Sequence, residues 1–284
     1  MEIAAYGALT DEEPLLRQAF GDALARRRRL RCLRLFLNRD TVPTAAGHQV
    51  VLSSVNCTLD AEVPRSLAEG GTRMIAQRAT GHNNIDLTAA RELGPTVARV
   101  SSYSPYSVAE SAWALALAVD RRIVRAAHRT REFDFRLDGL MGCDLHGRTV
   151  GVVGTGKIGT EFTRIAHGFG MRLLGWDVAE NPDCAALGMR YVEREQLFAQ
   201  ADLVSLHVPL LPDTRHLIDA KALEVMTDER LARLMTFNNV LITSHQAYFT
   251  RDAVSQIAET TADNVTAYLT GRPSDNMLAG PPLG

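Results

Sequence analysis

The chain has 284 residues, 46% of them hydrophobic and 23% charged, with a formal net charge of −2. This balance supplies apolar mass for one large domain or two lobes, and no overall field that would gather nucleic acid or an anionic membrane surface. No apolar run reaches the roughly 18 residues of a membrane span, and the opening "MEIAAYGALTDEEP" lacks a basic-then-apolar leader pattern.

In chain order, short β-rich runs alternate with helical ones: "EIAAYGAL", "RLRCLRLFL", "HQVVLSSV", the helix-like "TLDAEVPRSLAEGG", then "TRMIAQRATG". This is the rhythm of an α/β fold with an open, mostly parallel sheet. The basic cluster "ARRRRLRCLRLFLN" runs into the alternation Leu33, Leu35, Leu37 and reads as a solvated lead-in to a half-buried strand. Cys32, Cys57, Cys143 and Cys184 are scattered without a CxxC pair, so neither a metal cage nor a redox dithiol is expected, and a reducing cytoplasm fits. "SPYSVAESAWALALAVDRRIVRAAHRTREF" has helical periodicity throughout and reads as one long connecting helix started by Ser104 or Pro105.

"GRTVGVVGTGKIGTEFTRIAHGFGMRLLGWD" then gives strand, glycine turn, helix and strand. Gly154, Gly156 and Gly159 form GxGxxG at the strand-to-helix joint, and Asp177 closes the second strand, eighteen residues after Gly159. In a dinucleotide site the first glycine permits the tight turn, the second admits the pyrophosphate, and the third lets helix and strand pack closely. The phosphates face a positive helix end. Asp177 would accept hydrogen bonds from the adenosine ribose, and "WDVAEN" holds no arginine for a 2′-phosphate, so NAD is favoured over NADP.

"ADLVSLHVPLLPDTRHLI" reads as a buried strand over Ala201–His207, broken by Pro209 and Pro212. Ligands of doubly wound sheets sit at the carboxyl ends of strands, which places His207 to Thr214 beside the cofactor. Taken alone, His207 reads as a loop histidine without chemistry. Near the C-terminus "NNVLITSHQAYFT" is an apolar, strand-like run that stops on His245.

Together "RATGHNNIDL", "YSPYSVAE", "GRTVGVVGTGKIG", "LHVPLLPDTRHLI" and "NVLITSHQAYFT" resemble the D-isomer-specific 2-hydroxyacid dehydrogenases, most of all their fermentative D-lactate branch, in order over nearly the whole chain. The resemblance implies two Rossmann-like lobes, a flavodoxin-like substrate lobe and a doubly wound NAD lobe, which dimerise through the latter. By this likeness the substrate lobe is residues 1–98 completed by 247–284, and the NAD lobe is 99–246. A small 2-keto or 2-hydroxy acid and NAD would meet in the cleft. Lys157 and Ile158 would offer backbone amides to the pyrophosphate, and Val208, Pro209 and Thr214 would line the cofactor. Ala79 and Thr80 would lie against the substrate carboxylate, with Tyr103 nearby. His245 matches the general acid/base, since reduction of a ketone needs a proton that an imidazole can hand over and take back.

The sequence departs from the family pattern after Met226. There "KALEVM" passes directly to "TDERLARLMTFNNV", and roughly fifty residues of the usual pattern have no counterpart, among them a "TSRG"-like arginine and a "DVYE"-like acid. The arginine would clamp the substrate carboxylate, and the acid would pair with the histidine. Two strands of the NAD sheet are lost with them. The expectation is that "VLITS" slides inward to pair beside "DLVSLH", with Thr227 or Asp228 capping a short helix in the crossover, and that His245 then stands about where the arginine would. Arg230 and Arg233 in "DERLARLM" read as solvated helix residues more readily than as a substitute clamp. His82 stands where the nearest relatives carry an aromatic residue, as a pocket residue or a surface replacement.

Two functions fit: a working NAD-dependent 2-hydroxyacid dehydrogenase, or an inactive or regulatory NAD(H)-binding protein of the same descent. A methyltransferase-type Rossmann protein has no reason to carry "LHVPLLPDTRHLI" or "SHQAYFT".

Overall fold

The computed structural model describes residues 2–23, 29–209, 211–219, 243 and 245–280. Two compact units form, one from Met1–Ser104 with Phe249–Gly284 and one from Pro105–Tyr248.

The first unit is built on β1 (Glu2–Tyr6), β2 (Arg29–Leu33), β3 (Val50–Ser53), β4 (Met74–Gln77), β5 (Thr96–Arg99) and β10 (Met277–Ala279), in the order β10-β5-β4-β3-β1-β2. All neighbours are parallel except β10, which runs antiparallel to β5. The winding β2-β1-β3-β4-β5 is the flavodoxin-like one. Its inner strands β1, β3 and β4 are buried nearly throughout because both faces are covered, whereas the edge strand β2 is only partly buried. Ile3 and Ala5 point to α1 (Glu13–Ala23) and α9 (Arg251–Leu269), where they meet Leu16, Phe20, Ala258, Ala262 and Val265. Ala4 and Tyr6 point the other way, toward α2 (Glu62–Glu69) and α3 (Leu87–Leu93), where they meet Val63, Leu67 and Ala90. Each fully buried Leu, Ile or Val contributes about 1.5–3 kcal/mol.

The second unit carries β6 (Thr149–Val153), β7 (Arg172–Trp176), β8 (Arg190–Tyr191) and β9 (Leu203–Leu206), all parallel in the order β8-β7-β6-β9. Around them lie α4 (Pro105–Asp120), α5 (Ile123–Arg131), α6 (Lys157–Gly168), α7 (Pro182–Ala186) and α8 (Arg194–Gln200). On one face Val150 and Val152 meet Ala109, Trp113 and Phe162, while on the other Val153 and Leu174 meet Leu197 and Phe198.

Three expectations need correction. The long helical segment is two helices, because Arg122 adopts a left-handed φ of 51° and turns its guanidinium onto the Val119 carbonyl at 2.9 Å, closing the end of α4. The half-buried alternation does not run through Leu35. The chain leaves the sheet at Leu33, where Ala8 donates to the Leu33 carbonyl and Gly7 to that of Leu35, so Leu35 is 38% exposed while Leu37 is fully buried. Finally, β9 is half-buried rather than buried, because among the described residues it is the edge strand of its sheet. Of the stretch Val240–Ser244 expected to pair with it, all but Thr243 lies outside the described residues, as do Met226, Thr227, Asp228, Arg230 and Arg233.

A buried ion pair lies at the start of the first sheet's loops. Arg78, just past β4, donates to the Glu12 carboxylate and, at 2.6 Å, to the Tyr6 carbonyl, with side-chain exposures of 2% for Arg78 and 11% for Glu12. Removing one partner strands a charge in a dry site. Glu12→Ala is expected to destabilise this unit by about 3–5 kcal/mol in urea unfolding, and Arg78→Met in the same chain to restore most of the loss. Unchanged unfolding of the single variant would show that water reaches the pair.

Candidate active site

The glycine turn leaves β6 at the point where strand order reverses, with β7 on one side and β9 on the other. Such a switch point is where doubly wound sheets hold ligands. Gly154 has a left-handed φ of 91°, and a Cβ there would lie 2.7 Å from the His207 carbonyl oxygen. A Cβ at Gly159 would strike the Gly154 carbonyl, so helix and turn meet only through glycine. Gly156 is different: a Cβ on it would meet nothing within 4 Å and would stand in open space. It is also the N-cap of α6 and brings no side-chain acceptor to the first helical amides, among them those of Ile158 and Gly159. An open cradle over a helix start of this kind suits a pyrophosphate. Lys157 opens α6 with an exposed side chain.

Backbone bonds gather the neighbouring strand ends. Gly154 N–H donates to the Trp176 carbonyl at 2.9 Å, and His207 N–H to that of Val153 at 2.7 Å. Asp177 and His207 are thereby held on either side of the turn. Asp177 Oδ2 accepts from the Thr155 N–H at 2.6 Å and the Thr155 hydroxyl at 3.0 Å, while Oδ1 accepts from the Val178 N–H at 2.7 Å. Val208 packs with Val153, Leu174 and Leu197. Pro209 and Thr214 close one turn, in which the Thr214 hydroxyl donates to the Pro209 carbonyl at 2.5 Å and accepts from the Leu211 N–H at 2.8 Å.

His207 lies in the loop just past β9. Its Nε2 lies 2.9 Å from the Ser205 hydroxyl and its ring 4.9 Å from that of Phe162, which stacks on Trp113 at 4.6 Å. Trp113 Nε1 in turn donates to the Phe162 carbonyl at 3.0 Å. This aromatic column holds α4, α6 and the end of β9 together, and burial pushes the His207 imidazole down from 6.5 to about 4.

In the first unit, Ala79 and Thr80 follow β4, and Tyr103 follows β5 and is half-buried. The 79–84 loop is tied from beneath. Ser53 donates to the Gln77 amide oxygen at 2.5 Å, and Gln77 Nε2 donates to the Gly81 carbonyl at 3.1 Å and to Asn84 Oδ1 at 3.0 Å. Val100 N–H donates to the Ala79 carbonyl at 3.2 Å, and Arg99 to that of Thr80 at 3.1 Å. His82 is half-buried with its Nδ1 3.4 Å from both the Thr80 carbonyl and the Arg99 guanidinium. His245 belongs to the second unit, is exposed, and has its ring edge-on to Tyr248 at 6.3 Å.

Sequence reading missed Thr155, Asn181 and Tyr191, which surround the turn. Asn181 Nδ2 donates to the Thr155 carbonyl at 2.6 Å and to the Thr160 hydroxyl at 3.1 Å, and Tyr191 donates to the Thr155 hydroxyl at 3.0 Å. The available signal was slight: a hydroxyl residue between two glycines and an Asn-Pro helix start.

Residues 113–232 match the family model described as D-isomer specific 2-hydroxyacid dehydrogenase, NAD binding domain. The chain is 38% identical over 286 aligned positions to 2-hydroxyacid dehydrogenase homolog 1 of Schizosaccharomyces pombe, covering 82% of this chain and 86% of that one. It is 35% identical over 295 positions to the D-lactate dehydrogenase of Escherichia coli K12, covering 85% and 90%. The apo-structure of D-lactate dehydrogenase from Escherichia coli superposes with a TM-score of 0.90 at 34% identity, covering 98% of this chain and 100% of that chain. In the first alignment, 82% of 284 residues is about 233, so some fifty of the 286 positions have no residue from this chain. That shortfall is the size implied by the motif spacing after Met226.

The His207 shift has a consequence for pH. In the fold the ring stays neutral down to about 4, whereas the unfolded chain takes up its proton from about 6.5 downward. Its contribution is therefore complete above about 6.5 and is lost as pH falls from there to about 4. Comparing urea unfolding of wild type and His207→Asn across this window should show an extra wild-type loss of about 1–3 kcal/mol. Parallel pH profiles would mean the ring is solvated.

Proposed function

We propose, from the premise that this chain belongs to the D-isomer-specific 2-hydroxyacid dehydrogenase family, that it interconverts a small 2-keto acid and its 2-hydroxy acid, with pyruvate and D-lactate as the first pair to assign. The cofactor of the family is NAD. The observation that carries the reading is the junction at the end of β6, where Gly154, Gly156 and Gly159 leave an open cradle over the start of α6 with Asp177 beside it. We read the Met1–Ser104 and Phe249–Gly284 unit as the substrate lobe and the Pro105–Tyr248 unit as the NAD lobe.

When bound, NADH supplies the hydride for the carbonyl carbon. The amides of Lys157 and Ile158 hold the pyrophosphate, Asp177 accepts from the ribose, and His207, Val208, Pro209 and Thr214 line the remaining length. His245 delivers the proton that the reduced carbonyl oxygen needs and takes it back in the reverse direction. Ala79 and Thr80 rest against the substrate carboxylate, with Tyr103 beside them.

A second reading, NADH binding without turnover, is favoured by the fifty aligned positions that this chain lacks. Two measurements separate the readings: NADH binding by fluorescence, and NADH oxidation with pyruvate and a panel of 2-keto acids. We expect binding, and turnover that falls about 10²–10⁴-fold in His245→Gln. Binding with no oxidation above background selects the second reading, and no binding removes both.

We also assign a homodimer through the second unit. Phe133, Phe135, Leu137 and Met141 there are 71–89% exposed, an apolar stretch that a monomer has no reason to leave in water. Light scattering that reads one chain per particle at micromolar concentration would sink this. Four unpaired cysteines support assignment to the reducing cytoplasm, which recovery of the chain in an exported fraction would contradict.

A further inference from the structure

The glycine turn is tied to Asp177 by hydrogen bonds that all run one way. The Asn181 N–H donates to the Tyr191 oxygen at 2.8 Å, the Tyr191 hydroxyl to Thr155 Oγ1 at 3.0 Å, and the Thr155 hydroxyl to Asp177 Oδ2 at 3.0 Å. A backbone N–H can only donate and a carboxylate can only accept, so both ends fix the sense of the two hydroxyl protons between them. Bonds aligned in this way polarise one another. Thr155 is 1% exposed, and its carbonyl is held separately by Asn181 Nδ2 and the Thr160 hydroxyl. Burial raises the Tyr191 phenol, with its bonds to Thr155 and Asn181 opposing, and the group stays a neutral donor at physiological pH.

The acceptor sites of Asp177 can then be counted. A carboxylate has about four lone-pair sites, two on each oxygen. Both on Oδ2 are taken by Thr155, and one on Oδ1 is taken by the Val178 N–H. The remaining site is on Oδ1, and Asp177 is only half-buried, so an incoming hydroxyl can reach it.

We propose that Tyr191 is a positioning residue for the cofactor: acting through Thr155, it locks Asp177 Oδ2 and leaves Oδ1 as the single acceptor for a ribose hydroxyl. The inference deepens the ribose role assigned to Asp177 and rests on it. Tyr191 never touches the cofactor itself. Its effect is to remove rotational freedom from the carboxylate before binding, so that less ordering remains to be done when the ribose arrives.

The test is a double-mutant cycle on NADH binding by fluorescence, using wild type, Tyr191→Phe, Asp177→Ala and the pair. Tyr191→Phe removes one oxygen atom and should weaken NADH about 2–10-fold. In the Asp177→Ala background the same change should do nothing. Reduced nicotinamide mononucleotide, which lacks the adenosine half, should bind wild type and Tyr191→Phe equally. Thr155→Val should reproduce the loss and Thr155→Ser, which keeps the hydroxyl, should restore wild-type affinity. An equal loss in the Asp177→Ala background, an equal loss for the mononucleotide, or no loss in Tyr191→Phe each overturns the proposal while leaving the Asp177 assignment standing. An Asp177→Ala protein that binds NADH like wild type removes that assignment instead.

Discussion

The structure of the second unit depends on a close approach between two strand ends that leaves no room for a β-carbon. Gly154 faces the His207 carbonyl, and Gly159 faces Gly154 itself. Main chain from β6, β9 and α6 thereby converges on one point of a parallel sheet. The strand ends, the helix amides and the carboxylate after β7 share one small volume only because side chains are missing where the chains meet. A methyl group at Gly159 would push α6 away from the turn, and with it the cradle over Gly156, while one at Gly154 would displace the chain at the end of β9.

Much of this was legible in the sequence because the relevant signals are local. The glycine spacing, the closing acid, and the apolar runs of β1, β3, β4 and β6 are properties of stretches shorter than about thirty residues, and they fix both element type and the place of the cofactor turn. What escaped reading depends on partners brought together by folding. Arg78 meets Glu12 across 66 positions of sequence, and Tyr191 meets Thr155 across 36. Neither pair leaves a pattern in the neighbourhood of either residue. The break between α4 and α5 escaped for a different reason: "DRRI" contains no glycine or proline, and the left-handed residue is an arginine that caps the preceding helix with its own side chain. In β9 the run of apolar residues correctly predicted a strand. Its half exposure depends on what stands next to it in the sheet, which its own composition cannot encode.

Polar groups divide the labour in a consistent way. Around the 79–84 loop and around the glycine turn, polar side chains are spent on the main chain: Gln77 and Arg99 on carbonyls of the first, Asn181 and Thr160 on the carbonyl of Thr155 in the second. Neither loop is stiffened by regular pairing, and side chains from the neighbouring strand ends and helices do it instead.

The first unit is discontinuous, and this matters for how the polypeptide is made. One face of its sheet is covered by α9, whose Ala258, Ala262 and Val265 complete the layer over Ile3, Val50 and Met74. A ribosome delivers those strands well over a hundred residues before their cover. During that interval α1 alone covers that side of the nascent sheet, and the second unit, contiguous in the chain, can finish folding first. The order of synthesis therefore runs opposite to the order of completion, which makes the half-clad N-terminal sheet the stretch that chaperones would have to shield.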